Sequence, residues 1–162
     1  MNEKKEWFKT LEEFVYWELT VNKGSHTQIT KKDMAALFNN VYPDIKVTAE
    51  MSKQYMLDEI LKKYSLTEIY DMHPEKFGIK PSIWKYKFNL TDSQRKKMEK
   101  EGYLLFPAYT SYERVFTGTY ADVQYYQAKS YFTYTLEEVE KWKEENIRGY
   151  KKRKEAAADA ES

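Results

Sequence analysis

The sequence of 162 residues contains no cysteine. Disulfides, thiolate zinc sites and cysteine nucleophiles are therefore excluded. Its two histidines, His26 and His73, have no partner at metal-ligand spacing and are expected as loop or capping residues. Its five glycines are scattered and build no phosphate-cradling loop. With no catalytic motif present, neither an enzymatic activity, a cofactor nor a metal is expected. No apolar run approaches the roughly 18 residues of a membrane span. The opening "MNEKKEWFKT" lacks the apolar segment of a signal peptide. The expectation is a cytosolic protein with no membrane partner. Charge of one sign is not in excess either: 27 basic and 26 acidic residues leave a net charge of +1. Binding to nucleic acid would have to rest on a local patch rather than on bulk charge. The same neutrality argues against an acidic DNA mimic.

What the chain does have is aromatic side chains, 17% of the total, with fifteen tyrosines. Residues from about 7 to 20 place Trp7, Leu11, Phe14, Val15 and Leu19 at helical spacing. After a loop punctuated by Gly24, Thr30 caps a second helix with Met34, Leu37, Phe38, Val41 and Tyr42 on one face. Thr48 is the expected cap of a third helix carrying Leu57, Ile60, Leu61 and Tyr64. Ser65 and Glu68 have the spacing of a capping box for a short fourth, which His73-Pro74 ends.

The second half opens with Pro81 in the first turn of a helix that reaches Phe88. Asn89 and Leu90 make a tight break. Thr91 and Gln94 form another capping box, and Gly102 stands at the position of a left-handed C-cap. Two helices so closely joined have helix-turn-helix spacing. From Tyr103 to Tyr134 the composition turns to Tyr, Phe, Thr and Val, the chemistry of strands. "YERVFTGTYADVQYY" predicts a hairpin turning near Thr117-Gly118, and "AKSYFTY" predicts a third strand. Thr135 and Glu138 form a further capping box for a terminal helix lined by Leu136, Val139, Trp142, Ile147 and Tyr150. Its end is weakened by Gly149. "YKKRKEAAADAES" follows as a frayed tail or a helical extension.

A helix, a tight turn, a polar basic helix, a hairpin and a closing helix are the parts of a winged helix-turn-helix. "LTDSQRKKMEKEGYL" resembles the recognition helix of the excisionase-type and mercury-regulator-type winged-helix family, with its cap, internal basic residues and closing turn. "YFTYTLEEVEKWKEE" is similar to that family's last strand and acidic-capped helix. The resemblance covers residues from about 79 to 145. The wing, roughly Leu105 to Ser130, is longer than the family's short hairpin. The expected fold class is α+β. A helical N-terminal region spans 1–75, a winged helix-turn-helix with an enlarged β-wing and a C-terminal helix spans 76–150, and a basic, Ala-rich tail spans 151–162.

The resemblance implies a small DNA-binding protein: a regulator, an excision factor or an accessory replication factor. The chain's size and its Lys and Tyr usage give the expectation of a phage or mobile-element source. Ser93, Gln94, Arg95 and Lys97 would face base edges of duplex DNA. Lys96, Lys100 and Arg114 would sit near the phosphates. The alternative is a protein-binding inhibitor on the same scaffold, of anti-CRISPR or anti-restriction type, that blocks a host defence nuclease. Wing tyrosines such as Tyr112 and Tyr120 would then carry the contact. A homodimer is compatible with either reading. Against both stands an ordinary solvated helix, its cations balanced by Asp92, Glu99 and Glu101, beside a wing whose tyrosines pack on each other.

Overall fold

The computed structural model describes residues 8–21 and 29–161. Trp7, Gly24 and His26 lie outside the described residues. The fold is α+β: among the described residues it has nine α-helices and one three-stranded antiparallel sheet. The chain divides into two compact units, Phe8–Phe77 and a second that begins at Gly78. Among the described residues no helix is long and apolar enough to cross a membrane.

The first unit is helical: α1 (Leu11–Thr20), α2 (Lys31–Val41), α3 (Lys53–Leu61) and α4 (Leu66–Met72). Each begins where a hydroxyl accepts from a backbone N–H three residues on, which satisfies a donor that the helix leaves unpaired. The pairs are Thr10 with Glu13, Thr30 with Asp33, Ser52 with Tyr55 and Ser65 with Glu68. Asp33 and Glu68 reciprocate, closing two capping boxes. The cap of α3 is Ser52, not the expected Thr48. The carbonyl of Thr48 accepts from Met51 in a separate turn, and the helix begins only after Ser52. Leu61 is exposed at the far end of the helix, while the Tyr64 ring lies 4.6 Å from that of Tyr42. Phe14, Leu19, Met34, Phe38, Leu57 and Ile60 are buried at helical spacing and form the core. His73 caps the C-terminal end of α4, buried, with Nε2 3.2 Å from the Tyr42 hydroxyl. Burial lowers its pKa and favours the neutral ring.

A buried lysine in this core breaks the apolar pattern. Lys53, at the start of α3, is 1% exposed. Its ammonium donates to the carbonyls of Glu18, in the last turn of α1, and of Ile29, each at 2.7 Å. Burial lowers its pKa to about 8.

The second unit runs β1 (Gly78–Ile79), α5 (Pro81–Phe88), α6 (Asp92–Glu101), β2 (Pro107–Phe116), β3 (Thr119–Gln127), α7 (Ala128–Thr133), α8 (Leu136–Asn146) and α9 (Tyr150–Glu161). The sheet order is β1-β3-β2. The hairpin turns through Thr117 and Gly118, where φ is 75° at the glycine. The third strand is not "AKSYFTY" but Gly78–Ile79, which pairs with Gln127 and Tyr126. Residues 128–133 instead coil into α7. Ala128 and Tyr131, three apart, are both buried there, and the Tyr131 ring meets Trp84 edge-on at 5.3 Å. Tertiary burial on α5 overrides the local strand preference. Gly78 admits no side chain, because an added Cβ would lie 2.7 Å from the Tyr125 Cβ and 2.8 Å from the Tyr109 ring. Trp84, Phe88, Leu90, Met98 and Leu104 are all buried, the inner faces of α5 and α6 and their turn. The terminal helix also differs from expectation. It stops at Asn146, short of Ile147 and Tyr150, and Gly149 adopts φ 76°; the basic and Ala-rich run is helical, the second of the two expected forms, as α9.

Lys53 makes stability pH-dependent. The unfolded chain holds this proton up to the ordinary lysine pKa near 10.5, whereas the folded chain releases it near 8. Between those values the unfolded state binds more protons, so stability rises with pH and falls again as pH returns to 8. Denaturant melts of the wild type and of Lys53→Met, compared from pH 7.5 to 10.5, should diverge in favour of the wild type as pH rises. Parallel profiles would show that the lysine keeps an ordinary pKa.

Candidate functional site

The α5–α6 corner is built from local signals. Pro81 opens α5. Asn89 takes the left-handed conformation, φ 52° and ψ 47°, which short polar side chains tolerate better than branched ones. The Leu90 N–H returns to the Lys85 carbonyl at 3.0 Å. Thr91 caps α6 by accepting from the Gln94 N–H, and the Gln94 side chain accepts from the Thr91 N–H at 3.0 Å. Lys85 on α5 meets Asp92 at the head of α6 at 2.8 Å. That hydrogen bond and the charge of Lys85 hold the Asp92 carboxyl below its usual range.

The last carbonyls of α5 find their donor far along the chain. Lys143 of α8 is 1% exposed, and its ammonium donates to the carbonyls of Phe88 and Asn89, each at 2.8 Å. Its third acceptor is Glu140 at 2.9 Å. Glu140 also accepts from the Tyr150 hydroxyl at 2.6 Å and from Lys154 at 3.2 Å. Burial alone would raise the Glu140 carboxyl, but the hydrogen bonds from Tyr150, Lys143 and Lys154 outweigh it and hold the pKa down. Lys143 was absent from the sequence-based candidates. The available signal is its position, four residues after Val139 and beside Trp142, where an amphipathic helix should be apolar.

The expected DNA-facing residues do not share one environment. Ser93, Lys96, Lys97 and Lys100 are exposed on α6. Lys97 pairs with Glu101 at 3.0 Å, whereas Lys96 and Lys100 have no ionic partner among the described residues. Gln94 is buried and committed to the capping box. Arg95 turns inward: Nη1 donates to the Tyr126 hydroxyl at 2.7 Å and Nε lies 3.7 Å from Asp92. Gln94 and Arg95 are thus turned toward the protein, whereas Ser93, Lys96, Lys97 and Lys100 face solvent. Lys97 and Lys100 also differ from each other, since only Lys97 has to be released from a carboxylate.

On the hairpin, Tyr112 is 71% exposed, Phe116 73% and Tyr120 55%. Tyr112 and Tyr120 stack at 5.6 Å with 28° between the rings. Arg114 stands directly opposite Tyr120, exposed, with Nε 3.4 Å from the Phe116 carbonyl. Strand alternation places Tyr120 on the same face of β3 as Tyr126. Tyr126 is the residue that meets Arg95 of α6 and, edge-on at 6.4 Å, Trp84 of α5. The wing tyrosines and α6 therefore lie toward one side of the sheet. Among the described residues no group of three or more His, Asp or Glu side chains is placed to hold a metal ion.

The chain matches no known family model, no curated protein and no solved structure. Its site must be read from its own geometry.

Two substitutions separate the local and the long-range support of α6. Thr91→Ala removes one cap and should cost about 0.5–2 kcal/mol. Lys143→Met leaves the buried Phe88 carbonyl and the partly buried Asn89 carbonyl without their charged donor and should cost about 1.5–3 kcal/mol. Urea melts of the two variants beside the wild type measure both losses. A Lys143→Met variant as stable as the wild type would mean that the carbonyls find another donor.

Proposed function

We propose that the second unit is a winged helix-turn-helix that binds duplex DNA through the exposed face of α6. The observation that carries this reading is an order of elements. A strand precedes two helices joined by a left-handed turn, a hairpin follows, and its second strand pairs back to the first in the order β1-β3-β2. In that arrangement α6 is the recognition helix, and the hairpin is the wing. Lys96, Lys97 and Lys100 supply phosphate contacts, and Ser93 lies nearest the base edges. The wing adds Arg114 and the Tyr112–Tyr120 stack on the same side. Regulation, excision or accessory replication in a phage or mobile element is the role that fits such a module.

One observation favours a second reading. Tyr112, Phe116 and Tyr120 expose large apolar surfaces on the outer part of the hairpin. Exposed aromatic groups in a chain of net charge +1 suit a protein partner, such as a host nuclease that the chain would inhibit.

Anisotropy titrations with a labelled random duplex at several salt concentrations distinguish the two. Lys96→Glu with Lys100→Glu should abolish measurable binding while the thermal melt is unchanged. Neutral versions, Lys96→Gln and Lys100→Gln, should flatten the salt dependence by about one unit for each phosphate that is no longer neutralised. An unmodified chain with no affinity for duplex DNA at low salt would sink the DNA reading. Loss of function at Tyr112→Ala or Tyr120→Ala, with both lysine variants silent, would favour the protein partner.

A further inference from the structure

We infer that the concavity between α6 and the α8–α9 junction is a phosphate subsite, which grips one backbone phosphate of the DNA beside the recognition helix. The inference rests on the DNA reading above, and it brings in Arg148 and, from the basic run 151–154, Arg153. The concavity measures about 470 Å³ and is open to solvent. Ser93 and Lys97 line one wall, and Arg148 and Arg153 line the other. Three cations and no carboxylate face it, although basic and acidic residues are otherwise balanced along the chain. So local an excess of one sign is the footprint of an anion site.

The arginines come from the break between two helices. Gly149 adopts φ 76°, and an added Cβ there would stand 2.8 Å from Nη1 of Arg153. The glycine thus leaves room for the Arg153 guanidinium to fold back over the junction. There it donates to the Arg148 carbonyl at 3.3 Å, one bond from a group with five donors. Arg148 is exposed and has no ionic partner among the described residues. Lys97 is paired with Glu101, but an exposed ion pair of this kind contributes little and a phosphate can displace it. The hydroxyls of Thr91 and Ser93 lie 3.2 Å apart. If Thr91 donates to Ser93, the Ser93 proton is available to a ligand. Guanidinium forks and a hydroxyl together can donate several hydrogen bonds to the non-bridging oxygens of a tetrahedral phosphodiester.

The test uses the full chain and the Arg148→Gln/Arg153→Gln double variant. Both arginines lie outside the core, so a thermal melt should show folding unaltered. In duplex titrations the variant should bind about tenfold more weakly, equally on any sequence, with a salt dependence shallower by about one unit. Inorganic phosphate, added without DNA, should shift the Arg148 and Arg153 guanidinium resonances of the wild type. A wild type that binds duplex DNA beside a variant with unchanged affinity and salt dependence overturns the subsite and leaves the recognition helix standing. A wild type that binds no duplex DNA overturns the reading under Proposed function. In that case shifts with inorganic phosphate support the subsite for a phosphate of other origin, and their absence overturns it.

Discussion

A single ammonium under the turn between α5 and α6 sets the geometry on which the second unit depends. Helix ends leave carbonyls without partners, and at the end of α5 two of these, on Phe88 and Asn89, meet Lys143. A buried charge is costly unless it is fully hydrogen-bonded. Lys143 has three acceptors at 2.8–2.9 Å, the third being Glu140. Through Glu140 the same node reaches Tyr150 and Lys154, so the start of α9 is tied to the turn it helps to support. The first unit uses the same device: Lys53 enters the core to reach carbonyls of Glu18 and Ile29. In each case a long, flexible side chain closes a helix end that no local residue could reach.

Several elements were legible in the sequence because their cause is local. Thr30, Ser65, Thr91 with Gln94, Asn89 and Gly102 stand where capping chemistry requires them, and each cap forms. The hairpin and its turn at Gly118 follow from alternation and one glycine. What was not legible depends on contacts distant in sequence. Residues 128–133 carry strand-forming side chains yet coil, because Tyr131 packs on Trp84 and Phe88. The edge of the sheet is completed by two residues only, Gly78 and Ile79, too few to show a period. Leu104 holds φ 61°, a conformation that nothing in its side chain favours, and its burial pins it there. The site shows the same split. Exposure of Lys96, Lys97 and Lys100 follows from the polarity of α6. The inward turn of Arg95 follows from a tyrosine 31 residues away.

Overall neutrality hides an uneven surface. Salt bridges such as Lys80–Glu113 and Lys154–Glu144 pair opposite charges within the second unit, while Lys96, Lys100 and Arg148 stand without ionic partners among the described residues. Net charge therefore says little about this chain's affinity for an anionic ligand, since the field near a site depends on which cations are already neutralised. The wing adds a different chemistry. Its aromatic surface is exposed even though Tyr109 and Tyr125, nearer the root of the hairpin, stack at 4.8 Å and cover Gly78. One sheet is thus aromatic for stability at its root and aromatic toward solvent farther out.

The reach of Lys143 also bears on how the molecule comes into being. The Asn89 carbonyl waits for a side chain 54 positions later. While the chain is synthesised from its N-terminus, α5 and α6 can coil and cap early, since their start and stop signals lie within them. Their joint gains its support from Lys143 only once α8 has emerged and docked. The corner is therefore completed last, from parts whose signals are local. A nascent chain arrested before α8 would carry both helices without the joint between them, and its apolar inner faces would be open to the wrong neighbours.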